Sequence, residues 1–212
     1  MSLPAGERIA KIVARAGLCS RREAEAWVAA GRVAVDGEVL RSPAVNVRPG
    51  QQVTVDGKLL PQQEPPRLFR LHKPAGVLTT ARDPEGRRTI YDLLPEGLPR
   101  LMPIGRLDYT SEGLLLLTND GALKRRLELP STGWARRYRV RVHGLPSEPA
   151  LRGLARGITV DGVRYGPIQA YVDRVQGSNT WLTLSLREGK NREVRNVMRH
   201  LGHVVTRLFR TA

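Results

Sequence analysis

The apolar run LLLLT, at residues 114–118, constrains the fold of this chain more than any other feature. Four successive leucines do not alternate between core and solvent, so the run predicts a strand that is covered on both faces. A chain of 212 residues, of which 41% are hydrophobic, is long enough to build such a packed sheet. Gly113 opens the strand, and polar residues 118–121 predict a turn into a helix that Pro130 ends.

The rest of the second half of the chain mixes strands with short helices. Strand patterns occur in RLFRLHK, LMPIGRLD, RRYRVRVHG and WLTLSLREG, and helical patterns occur in RTIYDLLP, EPALRGLARGI and NREVRNVMRHLG. The helices do not follow every strand, and no βαβ repeat or glycine-rich nucleotide loop is present in the sequence. This order predicts an α+β domain with a mostly antiparallel sheet flanked by short helices.

The first sixty residues predict a separate, smaller α+β unit. ERIAKIVARAG has the apolar spacing of a helix that ends at Gly17. A second helix begins with Ser20 as N-cap and Glu23 three residues later, and it ends at Gly31. RVAVDGEVL and QQVTVDGKLL then alternate as strands, each turning at an Asp-Gly pair. We therefore expect two helices followed by a small sheet.

The stretch PQQEPPR, at residues 61–67, divides the chain. Proline, glutamine and charge without periodicity are typical of an extended linker. We therefore predict an N-terminal domain at 1–60, a linker at 61–67 and a larger domain at 68–212.

The charge of the chain favours an anionic partner. Lys and Arg number 35 against 20 Asp and Glu, which gives a formal net charge of +15. Such an excess indicates a polyanion, with nucleic acid as the first choice, although an arginine-rich but merely solvated surface has the same composition. One cysteine, Cys19, excludes an internal disulfide, and His200 and His203 lack a third ligand, so we expect no metal. No segment resembles a signal peptide or a membrane span, which predicts a soluble cytoplasmic protein.

The stretch CSRREAEAWVAAGRVAVDG resembles the S4 RNA-binding domain. Arg21 and Arg22 lie in the first turn of the second helix, and Arg32 opens the strand after it. Charge alone allows either solvated arginines or a phosphate-binding face. The resemblance implies that structured RNA is the ligand and that these three arginines lie on the binding face.

The stretch PIGRLDYTSEGLLLLTNDG places Asp108 in a polar turn between two apolar strands. Spacing alone favours a structural carboxylate that caps the turn or pairs with Arg106. The stretch also resembles the active-site motif of the bacterial ribosomal RNA pseudouridine synthases that carry an N-terminal S4 domain. Three further stretches of those enzymes match in the same order, so that the resemblance spans nearly the whole chain: LHKPAGVLTT, RRYRVRVHG and LREGKNREVRNVMRHLGHVVTRLFR.

The resemblance implies roles for particular residues. Asp108 is the catalytic carboxylate that acts, without a cofactor, on a uridine flipped out of the RNA. Whether it attacks the sugar, attacks the base or acts as a general base stays open. Arg106 fills or supports the vacated position, and Arg195 forms an ion pair with Asp108. Tyr138 contacts the flipped base and Leu208 lines the uracil pocket, although both are equally residue types that pack in a core.

Three further cations are predicted to bind RNA. Lys73 lies at the bend of LHKPAG, and Lys190 and Arg192 lie beside Gly189, where a loop enters a helix.

The most favoured function is isomerisation of one uridine to pseudouridine in ribosomal RNA. LELPSTGWARRYRVRVHG is closest to the large-subunit branch of the family, which favours 23S RNA, free or in an assembly intermediate. A 16S enzyme and a non-catalytic assembly factor remain alternatives, and a DNA-binding regulator has less in its favour because no recognition helix stands out. We expect the protein to act as a monomer.

Overall fold

The computed structural model describes residues 6–212, which form two compact units. The first contains the chain up to Arg67 together with Gly97–Met102 and Thr118–Gly121, and the remainder forms the second. Two short later segments therefore belong to the first unit, which a single cut in the linear sequence does not foresee. The elements of the N-terminal part are β1 Glu7–Arg8, α1 Ile9–Arg15, α2 Arg21–Ala29, β2 Val33–Val35, β3 Glu38–Val39, β4 Asn46–Val47, β5 Val53–Val55 and β6 Lys58–Leu59.

The N-terminal part has the predicted pair of helices and small sheet. Strands β2, β3, β5 and β6 form a sheet in the order β3-β2-β5-β6, and β1 pairs with β4. The capping box of α2 is confirmed, because the Ser20 hydroxyl accepts from the Glu23 amide at 3.2 Å and the Glu23 carboxylate accepts from the Ser20 amide at 2.8 Å. Both Asp-Gly turns are confirmed as well: Asp36 and Gly37 have φ values of 50° and 87°, as a two-residue hairpin turn requires.

A small apolar core lies between these helices and strands. Ile9 and Val13 of α1, Ala24 and Val28 of α2, and Val33 of β2 are all fully buried. The helical and strand spacing of the apolar residues therefore brings both patterns to one core, as the sequence predicts.

The second unit is built on a seven-stranded sheet, which confirms the predicted α+β class. Its strand order is β13-β14-β10-β15-β9-β7, and β8 pairs with β9. The pairs between β13, β14, β10 and β15 are antiparallel, whereas β15 and β9 are parallel. The strands of this sheet are β7 Leu68–Lys73, β8 Met102–Ile104, β9 Glu112–Thr118, β10 Arg136–His143, β13 Ile168–Gln176, β14 Asn179–Leu186 and β15 Val205–Arg210. Strands β11 Ile158–Val160 and β12 Val163–Tyr165 pair with each other in a separate two-stranded sheet.

Short helices flank this sheet. They are α3 Gly121–Glu128, α4 Glu148–Gly153 and α5 Glu193–His200. Single 3₁₀ turns occur at Ile90–Leu93, where the sequence predicts a helix, and at Pro130–Thr132 and Leu154–Arg156. No helix within residues 6–212 has the length and apolar character needed to cross a membrane.

The leucine run that constrains the fold is covered less than its pattern predicts. Leu115 and Leu117 are 0% and 1% exposed and face the core, whereas Leu114 and Leu116 on the other side are partly exposed. The prediction of a strand fully covered on both faces is therefore wrong for one face of the sheet.

Candidate active site

A cavity of about 1200 Å³ lies in the second unit, on the packed side of the sheet. It brings together most of the site residues that the sequence predicts, and its lining also includes a residue that the sequence analysis missed, Arg210. Lys73 and Arg195 do not line it. The predicted residues in its wall are Arg106, Asp108, Tyr138, Lys190, Arg192 and Leu208.

Asp108 lies in the turn between β8 and β9, and its loop is tied down on both sides. The Ser111 amide donates to the Asp108 carbonyl at 3.0 Å, which closes the turn. The Thr79 hydroxyl donates to the Leu107 carbonyl at 2.9 Å, and the Gly76 amide donates to the Tyr109 carbonyl at 2.8 Å. The backbone at Asp108 is therefore held by neighbouring segments, and Asp108 itself lines the cavity.

Lys73 supplies a further restraint from inside the protein. Its side chain is 0% exposed, and its ammonium donates to the carbonyls of Ser111 at 2.8 Å, Pro74 at 3.0 Å and Asp108 at 3.1 Å. The prediction that Lys73 contacts RNA is wrong, because a fully buried ammonium with these partners does not reach a phosphate. Lys73 instead fixes the loop that carries Asp108.

The charge of Lys73 survives at neutral pH. Burial lowers the pKa of Lys73 to about 8, and the negative charges of Asp108 and Glu112 act in the opposite direction. An ammonium with this pKa is still mostly protonated at pH 7 and keeps its full set of donors.

Tyr138 and Arg210 both line the cavity. They are directly opposed partners on β10 and β15, and both are nearly buried. Arg210 Nε donates to the Leu114 carbonyl at 2.6 Å, which joins β15 to β9. Burial lowers the pKa of Arg210, and the neighbouring Tyr138 phenol opposes that shift. The alternation of VTRLFR places Arg210 on the same face as Leu208, and this signal was enough to find it.

Arg195 approaches the loop of Asp108 without forming the predicted ion pair. Its guanidinium donates to the carbonyls of Val205 at 3.2 Å and Thr110 at 3.3 Å, and within residues 6–212 no nitrogen of Arg195 lies within 4.0 Å of the Asp108 carboxylate. The predicted ion pair is therefore corrected to a backbone contact two residues after Asp108. Burial and then the charge of Arg192 lower the pKa of Arg195, and the charge of Asp108 raises it.

The remaining predicted lining residues differ in their exposure and in whether their side chains have binding partners. Leu208 is buried and supplies an apolar wall. Arg106 and Arg192 are exposed, and neither side chain has a hydrogen bond or ion pair in the described part of the chain. Arg192 adopts a left-handed φ of 50° at the start of α5. Lys190 is engaged, because its ammonium contacts Glu188 Oε2 at 2.7 Å and the Arg164 carbonyl at 2.6 Å.

Two carboxylates hold the loop that carries Lys190 and Arg192. Glu188 Oε1 accepts from the Gly166 amide at 2.5 Å, and Glu193 Oε2 accepts from the Lys190 amide at 3.0 Å. Glu193 is 3% exposed, and burial, with the charge of Glu188, raises the pKa of Glu193 to about 7. Neither acid stands out in the sequence, because a buried role is not visible in the charged stretch REGKNRE.

The arginines of the N-terminal part are only partly free. Arg21 and Arg22 are exposed at the start of α2. Arg32 is bound by Asp56, at 2.9 and 2.5 Å, and its guanidinium lies 4.5 Å from the centre of the Trp27 ring. Their predicted contact with RNA stays a prediction.

The cavity lining combines the carboxylate-bearing Asp108 with Tyr138, the apolar Leu208 and the arginines Arg106 and Arg192. Glu128, Glu188 and Glu193 also line it, but each of their carboxylates accepts a hydrogen bond from a backbone amide. No group of three or more His, Cys, Asp or Glu side chains within residues 6–212 is arranged to hold a metal ion. A planar, uncharged ring can pack against Leu208 and Tyr138 while Asp108 acts on it, and the arginines can bind phosphates at the rim.

Two family models match this chain. One, described as RNA pseudouridylate synthase, matches residues 67–200, and the other, described as the S4 domain, matches residues 7–53. The S4 match lies in the first unit, and the synthase match covers most of the second.

Full-length relatives and a solved structure agree with these matches. An uncharacterized RNA pseudouridine synthase of Rickettsia felis is 45% identical over 204 residues, covering 96% of this chain and 88% of the relative. Ribosomal large subunit pseudouridine synthase B of Escherichia coli K12 is 41% identical over 213 residues, covering 96% of this chain and 72% of the relative. A crystal structure of a pseudouridylate synthase superposes with a TM-score of 0.64 at 26% identity, covering 96% of this chain and 87% of that one.

Proposed function

The chain belongs to the RNA pseudouridylate synthase family, and from this premise we propose that it converts one uridine of 23S ribosomal RNA to pseudouridine. The choice of RNA rests on the relative from Escherichia coli, whose name specifies the large ribosomal subunit. The S4 match adds a second RNA-binding element on the same chain.

The observation that carries the proposal is the presentation of Asp108. Asp108 lines a cavity wide enough for an extruded base, and its backbone is clamped by Lys73 and by the turn that Ser111 closes. Rigid placement of the reacting group is what an enzyme needs in order to hold a near-attack geometry. A protein that only binds RNA has no use for a carboxylate held in this way.

The other lining residues have roles that follow from their contacts. The target uridine leaves the stack and enters the cavity, where Tyr138 and Leu208 pack against the base. Arg106, exposed and unpaired, occupies the position that the base vacates. Arg195 and Lys73 keep two positive charges near Asp108.

The two parts of the chain divide the work. We assign RNA gripping to residues 1–60, through Arg21, Arg22 and Arg32, and chemistry to residues 68–212, with 61–67 as the linker. Arg192 and Lys190 contact phosphates beside the cavity. The enzyme acts on ribosomal RNA, free or in an assembly intermediate, as a cytoplasmic monomer.

Replacement of Asp108 tests the proposal most directly. In full-length protein, Asp108→Asn and Asp108→Ala should lower tritium release from 5-tritiated uridine in 23S RNA by about 10³-fold or more, because the reacting carboxylate is gone. RNA affinity should change little. Asp161→Asn is the matched control, since Asp161 is an exposed carboxylate with a φ of 49° that asparagine also accepts.

Three outcomes contradict different parts of the proposal. Turnover by both Asp108 variants would remove the catalytic assignment. Release from 16S but not 23S RNA would change the substrate. Binding without release from either RNA by the wild-type protein would favour the non-catalytic assembly factor.

A further inference from the structure

The catalytic sheet has a second face, opposite the cavity, that carries its own pattern. Tyr138, Leu208 and Arg210 point into the cavity, so the residues that alternate with them on β10 and β15 point to the other side. Cross-strand contacts connect that side. Arg139 lies opposite Phe209 and its guanidinium is 5.1 Å from the centre of the Trp181 ring.

The same face continues across the sheet in both directions. The rings of His72 on β7 and Phe209 on β15 are 5.2 Å apart, which places β7 on one side. Arg174 on β13 lies opposite Trp181, which places β13 on the other. We call this surface the open face, and its charged residues are Arg70, Arg137, Arg139, Arg141, Arg174 and Arg207, with Glu112 and Asp173.

The acids neutralise only part of this charge. Glu112 holds Arg207 through two contacts at 2.8 and 2.9 Å, and Asp173 lies 3.6 Å from Arg139. Arg141 donates to the uncharged Thr206 hydroxyl at 2.9 Å. The open face therefore keeps a clear excess of positive charge after its ion pairs are formed.

Three of the arginines have no partner at all among residues 6–212. The side chains of Arg70, Arg137 and Arg174 are exposed and make neither a hydrogen bond nor an ion pair there. Solvated guanidinium groups of this kind are the ones that release counterions when they meet phosphates.

Aromatic side chains lie between these arginines. Tyr171 on β13 is 53% exposed, and Trp181 and Phe209 are partly exposed farther into the sheet. Tyr171 and Arg139 lie on either side of Thr183 in neighbouring strands. Aromatic rings interleaved with arginine are the arrangement on which unstacked bases pack while the backbone is held electrostatically.

The short helices do not occupy this face. Helices α3 and α5 contribute Leu127 and Val194 to the cavity lining, and Tyr171 and Arg174 of β13, the strand that α4 contacts, stay exposed. Helical packing is therefore on the cavity side. Leu114 and Leu116, on the other side of β9, stay partly exposed.

We propose that the open face binds a single-stranded segment of the substrate RNA that lies outside the target stem. This inference rests on the proposed function, because it takes RNA as the substrate. An RNA that reaches both the cavity and the open face must pass around an edge of the sheet, and Tyr171 and Arg174 lie on the edge strand β13. The protein should therefore bind a long RNA fragment more tightly than the target stem-loop alone.

The test uses a triple variant of the full chain, Arg70→Gln, Arg137→Gln and Arg174→Gln. These side chains have no partners to lose, so the fold is retained. The control removes three exposed arginines from the helical side, Arg152→Gln, Arg156→Gln and Arg199→Gln. Arg152 and Arg199 lose only exposed ion pairs, with Glu148 and Asp161, which contribute little to stability. Filter binding compares a target stem-loop with the same stem-loop extended by single-stranded RNA, over a range of salt concentrations.

The open-face variant should lose roughly tenfold or more in affinity for the extended RNA at about 0.1 M salt, and its slope of log K against log salt should fall by about 2. Binding and turnover of the stem-loop should stay at wild-type values, as should every property of the control variant. Tyr171→Ser provides a second measurement and should cost the extended RNA roughly tenfold through lost stacking.

An unchanged ratio of extended to stem-loop affinity in both the triple variant and Tyr171→Ser would overturn the proposal. Equal losses on both RNAs would also overturn it, because they would show a general effect of charge. The outcome is distinguishable from failure of the proposed function, since binding ratios are measured without turnover. A wild-type protein that binds but does not convert uridine would remove the function and leave this test intact.

Discussion

Two loops in the cavity region are each held by a buried charge, and they are held to different degrees. On the Asp108 side, Lys73 is 0% exposed and its ammonium has carbonyl partners from Pro74, Asp108 and Ser111. In the loop that carries Lys190 and Arg192, Glu193 is 3% exposed, and its Oε2 atom accepts from the Lys190 amide. Its Oε1 atom accepts no hydrogen bond in the described structure, and the neighbouring carboxylate is that of Glu188.

This difference in hydrogen bonding predicts how the charge in each loop responds to pH. A buried charge is costly unless hydrogen bonds compensate it, and Lys73 is compensated more fully than Glu193. Burial lowers the pKa of Lys73 to about 8, so the Asp108 loop keeps its clamp through neutral pH. Burial raises the pKa of Glu193 to about 7, so the loop with Lys190 and Arg192 changes its charge in the same range.

Lys73→Met should have the largest effect, because it removes the clamp and keeps a side chain of similar length. The carbonyls of Pro74, Asp108 and Ser111 lose a charged donor inside the protein, at about 1–3 kcal/mol each. We expect the free energy of unfolding to fall by about 3 kcal/mol or more, and tritium release to fall by roughly 10²-fold as Asp108 loses its position. Urea denaturation and single-turnover assays measure these changes.

Lys58→Met is the control for this prediction, since Lys58 is an exposed lysine on β6. A Lys73→Met protein with wild-type stability and turnover would show that the two loops are not held differently. Loss of RNA affinity without loss of stability would instead restore Lys73 as a phosphate contact.

The sequence predicted the residues that line the cavity better than it predicted the buried residue that holds the Asp108 loop in place. Asp108, Tyr138 and Leu208 stand in matched motifs and meet in the cavity as expected. Lys73 was misassigned because its main partners lie 35 and 38 residues farther along the chain, and a lysine at a bend in a basic protein has the same pattern as a phosphate contact. The burial of Lys73 depends on tertiary contacts, which cannot be predicted from the spacing of nearby residues.

The sequence correctly predicted those helix ends and turns that depend on a single local interaction. The capping box of α2 and the Asp-Gly turns depend on residues within three positions of one another, and all were found. The prediction for the leucine run was right for one face only, because the apolar character of the run does not show that Leu114 and Leu116 stay partly exposed.

Gly113→Ala should have the second largest effect. It tests the Asp108 loop at its C-terminal end, where the chain enters β9. Gly113 follows the Asp108 turn with a φ of 102°, and an added Cβ would lie 2.2 Å from the Arg210 carbonyl oxygen. Since Gly113 and Arg210 are direct partners in the parallel pair, β9 and β15 must separate. We expect a loss of about 2–3 kcal/mol in the free energy of unfolding, measured by urea denaturation.

Gly121→Ala is the control, because Gly121 begins α3 and an added Cβ would be 4.0 Å from the nearest atom, Met102 Cε. Its stability should match or slightly exceed that of the wild type. If Gly113→Ala were equally harmless, the first loop would not depend on the close approach of β9 and β15.

Glu193→Gln should have the smallest effect, and that effect should depend on pH. The folded pKa of Glu193 is raised to about 7, so the folded protein holds a proton that the unfolded chain releases at lower pH. The wild type therefore loses stability as pH rises from about 4.5 to about 7, where the loss is complete above the folded pKa. Glutamine stays neutral and keeps an acceptor for the Lys190 amide, so the variant should be more stable by about 2 kcal/mol above pH 7.

Unfolding free energies of wild type and Glu193→Gln, measured from pH 4.5 to 8, decide whether the second loop is the pH-sensitive one. The two curves should meet at the acidic end and separate as pH rises, whereas Glu148→Gln, at an exposed helical carboxylate, should run parallel to the wild type throughout. Parallel curves for Glu193→Gln would mean that its carboxyl is compensated as fully as the Lys73 ammonium. Both loops would then keep their charge and position across neutral pH. The lack of a hydrogen-bond donor to Glu193 Oε1 would have no effect on the free energy of unfolding.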